Sequence, residues 1–197
     1  MIYATGCLRP KIDLRDYKIS GVGASNLPDS YTCANMPRVK NQGSVSSCVA
    51  HATSSILEFF DMKDGKGHDI STNFIYGLEK KVCGRDGQGM YLRNACKIVK
   101  EYGSPLEYMC EGNSEVPKAN EVAEKAFEDA AVLENAWYSH IDSYYDCKGD
   151  GAIKKAIYKY GPVLASVKWF DDFKVKNGVL SSSLKGDYGY HAIVLYG

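Results

Sequence analysis

From Val49 onward the apolar residues Val49, Ala52, Ile56, Leu57 and Phe60 recur at helical spacing, with no Pro or Gly between them. The stretch before them, Lys40-Asn41-Gln42-Gly43-Ser44-Val45-Ser46-Ser47, is a polar loop that runs straight into this helix through Cys48. Helical spacing returns at 73–81 (Phe74, Ile75, Leu78, with Ser71 or Thr72 as cap) and at 91–102 (Leu92, Ala95, Ile98, Val99, Tyr102), where Gly103 stops it. A charged helix is predicted over 119–132, with Ala123, Ala126, Phe127 and Ala130 along one stripe. Alternation then replaces it: 136–141 reads as a strand. A helix over 151–160 carries Ile153, Ala156, Ile157 and Tyr160, with Asp150 as its cap. It leads through Gly161-Pro162 into an apolar strand ending at Trp169. Asn177-Gly178 marks a hairpin turn, and the last strand, 189–197, carries His191 at its mouth. Helices first and strands later predict an α+β fold in two lobes.

Between these elements lie loops at 61–69, 83–91 and 110–118, the last predicted to connect the lobes. Residues 1–26 form an irregular lead-in that ends in the linker-like Gly21-Val22-Gly23-Ala24-Ser25-Asn26. This segment either lies along the cleft of the domain that follows or packs on its back.

Composition narrows the function. Lysines plus arginines equal aspartates plus glutamates at 24 each, so no global charge points to nucleic acid or to an anionic membrane. No apolar run reaches transmembrane length, and the first residues lack the basic and apolar regions of a secretion signal. With Cys48 set aside, six of the seven cysteines remain, enough for three disulfides. The absence of a signal and of any Asn-x-Ser/Thr acceptor favours free thiols in a reducing, intracellular compartment. No C-x-x-C or His-x-x-x-His spacing suggests a metal, and no cofactor is implied.

Cys48 carries the candidate chemistry. At a helix start, orphan amides and the positive end of the dipole favour thiolate over thiol, and Ser46 or Ser47 is the expected N-cap. Gln42 can offer its side-chain amide to an anion near that sulfur, and the Cys48 N–H is a second donor. The base must titrate near neutrality, which suits an imidazole. His191 and His51 are the contenders. His51 lies one helical turn from Cys48, on a similar face; His68 and His140 have only loop or strand context.

Gln42-Gly43 followed by Ser46-Ser47-Cys48 and Val49-Ala50-His51-Ala52 resembles the active-site segment of papain-like cysteine peptidases, in particular bacterial-type members. Leu27-Pro28, Gly161-Pro162-Val163 and Tyr190-His191-Ala192 are similar to further family segments, so the resemblance covers 27–197. It implies a papain-like fold, a helical left lobe and a β-rich right lobe with the cleft between them. It implies a thiol endopeptidase acting on peptides or proteins. Cys48 is the nucleophile and His191 the base, drawn as a thiolate–imidazolium pair, with Gln42 and the Cys48 N–H holding the oxyanion. His191 stands 143 residues after Cys48, within the about 130–150 typical of papain-type enzymes. His51 takes the place of a packing residue.

By position, the family's substrate-binding loop maps onto Gly87, Gly89, Met90 and Tyr91, although Gln88 splits its paired glycines. Ser166, Tyr190 and Ala192 take the opposite wall. The half-cystine that the family often places three residues before the nucleophile is Val45 here, a further mark against disulfides. The family's third group, an asparagine in an Asn-Ser-Trp-Gly segment about 15 residues past the histidine, has no match in this sequence and is left unassigned. The resemblance thus implies a peptidase domain at 27–197 without its last strands. A catalytically impaired binding module on the same fold is the alternative, as is an acyl or isopeptide transferase with the same dyad.

Overall fold

The computed structural model describes residues 5–9, 18–19, 27–84, 87–110 and 118–197, apart from the side chains of 118–120 and 122–123. The first half is helical: α1 (Cys48–Lys63), α2 (Thr72–Cys83) and α3 (Leu92–Glu101), then α4 (Lys118–Glu128) and α5 (Ala130–Trp137). The second half opens with α6 (Asp150–Tyr160) and continues with β1 (Val163–Phe170), β2 (Lys174–Lys176), β3 (Val179–Ser181) and β4 (Tyr188–Leu195). This is the mixed α+β architecture that the change of period predicts. The predicted connecting loop at 110–118 falls mostly outside the described residues.

α1 is the buried axis. Val49, Ala50, Ala52 and Leu57 join Ile70, Ile75, Tyr76, Met90, Ala95 and Val99 in one apolar cluster, which reaches Ala192 on β4. Phe60, expected on this stripe, is exposed, while the polar Glu58 is buried. Glu58 is matched by Lys40, whose Nζ sits 2.6 Å from Glu58 Oε1 and 3.0 Å from Glu107 Oε2. Lys40 also donates to the Ile70 carbonyl at 2.6 Å, and Glu58 accepts from the Ile70 amide at 2.8 Å. A buried ion pair needs further hydrogen bonds to offset desolvation, and these serve Lys40 and Glu58 Oε1, while Glu58 Oε2 has no hydrogen-bond partner among the described residues. The pair ties α1, the loop before α2 and the segment leading to Gln42 into one unit.

A second cluster, Phe74, Leu78, Ile98, Cys110, Ala126, Val132 and Ala136, packs α4 and α5 onto α2 and α3. Here two expectations are corrected. The single helix over 119–132 is broken at Asp129, whose side chain accepts from the Ala131 amide at 2.9 Å and so caps a new helix. That helix takes in Ala136 and Trp137, so the strand expected at 136–141 does not form. Val132 and Ala136, one turn apart, bury a helical face that outweighs the local alternation. Ala130, placed on the buried stripe, is exposed; Ala123 lies outside the described side chains. On α6, Ala156 and Ile157 are buried but Tyr160 is exposed, and Gly149 rather than Asp150 holds the N-cap position.

β1 and β4 pair antiparallel from Val163↔Leu195 to Phe170↔Tyr188, which sets Ser166 opposite Ala192 and Val167 opposite His191. β2 and β3 form the hairpin expected at Asn177-Gly178, where both turn residues have positive φ (51° and 77°). β4 packs its Ala192 against α1, and so the histidine strand meets the cysteine helix.

Candidate active site

Cys48 is the first residue of α1 and is almost fully buried, at 1% exposure. Ser47 occupies the N-cap position without a side-chain cap bond. Its hydroxyl instead lies 3.2 Å from His51 Nδ1, which also lies 3.1 Å from the Ser47 carbonyl. His51 is thus used locally, inside its own helix. Across the cleft the Ala192 amide donates to Cys48 Sγ at 3.4 Å, which brings the strand carrying His191 directly to the sulfur. The His191 ring is half-buried, tilted against Trp169 at a centroid distance of 4.9 Å, and its Nδ1 has no hydrogen-bond partner among the described residues. Of the two rival imidazoles, only His191 keeps a buried ring nitrogen unmatched.

Electrostatics in this state differ from the expectation of a lowered cysteine pKa. Burial pushes the Cys48 thiol up, against the opposing pull of amides at Ala192, Gly6, Val49 and Cys48 itself. Burial likewise pushes the His191 imidazole down. Desolvation disfavours the charged form of each group.

Gln42 is oriented by its Nε2, which donates to the Val45 carbonyl at 2.9 Å and folds the loop before Cys48 into a turn. Ser46 Oγ donates to Gln88 Oε1 at 2.8 Å, tying this loop to the glycine loop beside it. That loop is held from behind by side chains that sequence reasoning missed. Tyr76 accepts from the Gly89 amide at 3.2 Å, and the buried Lys80 donates to the Gly89 carbonyl. Lys80 pairs with Glu79 at 3.1 Å, and Glu79 accepts from Asn94 at 2.7 Å. Glu79 and Lys80 fall on the buried side of an amphipathic helix, an anomaly visible only once the helix has a neighbour.

Four of the seven residues expected to bind substrate are gathered around a segment of the chain itself. Residues 5–9, part of the lead-in, run between the Met90 loop and the β1–β4 pair; the rest of the lead-in, apart from 18–19, lies outside the described residues. The Met90 amide donates to the Gly6 carbonyl at 2.8 Å and the Leu8 amide to the Met90 carbonyl at 2.9 Å, a parallel pairing centred on Cys7. On its other side the Cys7 amide donates to the Tyr190 carbonyl at 3.1 Å, and Cys7 Sγ donates to Ser166 Oγ at 3.2 Å. Two glycines permit this approach: a Cβ on Gly6 would strike the Ser46 carbonyl, and one on Gly89 would lie 2.7 Å from the Gly6 carbonyl oxygen. Gly89, Met90, Ser166 and Tyr190 therefore all face the segment. Ala192 is buried beside Cys48, Tyr91 is half-buried ahead of α3, and Gly87 has open space around it.

All seven cysteines are free thiols. Among the described residues no cluster of His, Cys, Asp and Glu could hold a metal ion, and no helix is long and apolar enough to cross a membrane.

Comparison with known proteins places the fold. The fold is similar to that of xylellain, a cysteine protease from Xylella fastidiosa, with 19% identity and a TM-score of 0.77 over 97% of this chain and 78% of that one. It is similar to procathepsin B from Trypanosoma congolense, with 19% identity and a TM-score of 0.72 over 98% and 70%. The digestive procathepsin L 3 of the Tenebrio molitor larval midgut gives 18% identity and a TM-score of 0.56 over 81% and 61%. A comparison with curated proteins gives no match. The family model described as papain family cysteine protease matches residues 27–197. The chain belongs to the papain family of cysteine proteases.

Proposed function

We propose that this chain is a peptidase whose domain spans 27–197 and whose residues 1–26 keep it latent. Cys48 attacks the peptide carbonyl after its proton passes to His191, and His191 returns that proton to the leaving amine. Gln42 and the Cys48 amide donate to the oxyanion, and water then resolves the acyl-enzyme. The observation that supports this reading is the Ala192–Cys48 contact, because Ala192 follows His191 on β4 and brings that strand to the sulfur.

Latency is supported by the pairing of Met90 with Gly6 and Leu8, which uses both backbone groups that an extended substrate would need. Two of the similar structures bear the names of pro-forms. In the closed form burial disfavours the charge on Cys48 and on His191; lifting the segment uncovers the sulfur that the Gly6 amide faces.

The test compares the full chain with one lacking residues 1–26, using hydrolysis of a fluorogenic peptide library and labelling of Cys48 by a cysteine-directed epoxide. The shortened chain is expected to label and to hydrolyse, and Cys48→Ala to do neither. If Cys48 in the shortened chain labels no faster than the other six thiols, the enzyme reading fails. Product that forms only when an amine acceptor is added would reassign the chemistry to transfer.

A further inference from the structure

The segment in the cleft has a feature that blocking alone does not require: the residue at its centre is a cysteine. Cys7 is fixed on both sides, by Met90 through its neighbours Gly6 and Leu8 and by Tyr190 through its own amide. Slipping the segment by one residue would break all three bonds and drive a side chain into the Ser46 carbonyl, where only Gly6 fits. The register therefore delivers residue 7 and no other.

The position it is delivered to lies next to the nucleophile. Cys7 Sγ is 3.2 Å from Ser166 Oγ, Ser166 pairs directly with Ala192, and the Ala192 amide is 3.4 Å from Cys48 Sγ. The two sulfurs thus flank one rung of the β1–β4 ladder, whose paired Cα atoms stand about 4.5–5.5 Å apart. The Gly6 amide faces the Cys48 sulfur, and both cysteines belong to the same buried cluster. Cys33 is set elsewhere, its amide on the Tyr196 carbonyl, and Cys110 is buried in the other apolar cluster.

We propose that Cys7 and Cys48 are a dithiol oxidation site that closes to an intrachain disulfide when a hydroperoxide oxidises the nucleophile. The Cys48 thiolate attacks the peroxide, the O–O bond breaks, and Cys48 is left as a sulfenic acid with release of one water. The Cys7 thiolate then attacks that sulfur, the S–O bond breaks, and the hydroxyl leaves as a second water. Two thiols and one hydrogen peroxide give one disulfide and two waters. The first step belongs to the open state, where Cys48 meets solvent; the second follows as the segment returns to its register. While the segment is docked, burial holds the Cys7 thiol up at about 11, so the closed reduced form is unreactive. Oxidation would convert a reversible plug into a covalent one that any reducing dithiol reopens.

The inference rests on Cys48 as the reactive thiol but not on peptide hydrolysis. The experiment treats the full chain with hydrogen peroxide, caps remaining thiols with N-ethylmaleimide, and maps linked peptides by mass spectrometry. It also measures epoxide labelling of Cys48 before and after dithiothreitol. The expected result is a linked pair holding Cys7 and Cys48, with labelling lost on oxidation and fully regained on reduction. Cys7→Ser keeps a hydroxyl for Ser166 and is expected to lose labelling for good, because an unresolved sulfenic acid proceeds to sulfinic acid. Cys7→Ala should behave like Cys7→Ser. A linked pair between other cysteines, or full recovery in both variants, would overturn the proposal. The mapped Cys7–Cys48 pair in a chain that never hydrolyses peptide would sustain this site and remove the peptidase reading instead.

Discussion

The Ala192 amide nitrogen lies 3.4 Å from Cys48 Sγ across 144 residues of chain. Because Ala192 follows His191 on β4, the contact fixes where the histidine enters the cleft. It also supplies a donor that favours the thiolate whenever water is readmitted.

His191→Ala is expected to lower kcat/KM of the shortened chain by about 10²–10⁴, the usual cost of losing a general base. His51→Ala should keep most of the activity and lose thermal stability, since His51 bonds only within its own helix turn. Kinetics and melting curves on the two variants check this; the opposite pattern would move the base to His51.

Gly6→Val should activate the full chain without any truncation. A Cβ there strikes the Ser46 carbonyl, so the segment must lift. Each ~1.4 kcal/mol of lost docking energy raises the open fraction tenfold while the closed form dominates. Epoxide labelling rates of Gly6→Val and the parent chain measure it; equal rates would mean the segment does not gate access.

The pH dependence of labelling follows from the two shifts. In the closed form the Cys48 thiol is raised by burial, so the thiolate fraction, and with it the alkylation rate, climbs only on the alkaline side of an ordinary cysteine. His191 is lowered by burial, which disfavours the imidazolium that would hold the thiolate as an ion pair. Removing residues 1–26 takes the Gly6 amide and Cys7 away from the Cys48 sulfur and uncovers it, and the rate profile should move to lower pH. Profiles of the two chains that coincide would contradict this.

Lys40→Met should destabilise the domain by about 3–5 kcal/mol, because it strips the buried Glu58 carboxyl of its cation. Lys40→Met combined with Glu58→Leu should recover most of that loss. Urea unfolding of the single and double variants separates pairing from packing.

Asp172 is held down at about 2 by Ser182 and by the side chain and amide of Ser183. The sign is that of a lowered carboxyl: its contribution to the 172–183 loop is full above the ordinary value of 3.8 and disappears as pH falls through about 2. An NMR titration of the Asp172 carboxyl checks the midpoint, and Asp172→Asn should erase the acid-dependent shifts at Ser183.

Much of this was legible in the chain because the relevant signals are local. The helix behind Cys48, the Gly161-Pro162 step and the Asn177-Gly178 turn each depend on backbone preferences of a few residues. Residues 136–141 mislead for a related reason. Their alternation is real in one dimension, but the Asp129 cap starts a helix upstream, and burial of Val132 and Ala136 then carries it through. The support of the glycine loop was hidden for a different cause. Tyr76 and Lys80 acquire their roles only when α2 lies behind Gly89, a contact no spacing encodes. Cys7 is the extreme case, an ordinary residue in an irregular lead-in until its register against Met90 is seen.

That register also bears on solubility. Met90 offers a bare strand edge as soon as its tenant departs, and such edges recruit any extended polypeptide at hand, copies of the same molecule included. Under the proposed latency, release of the segment would uncover the cleft and this edge together. Concentrated preparations stripped of their leading residues should therefore self-associate unless a peptide ligand is supplied in their place.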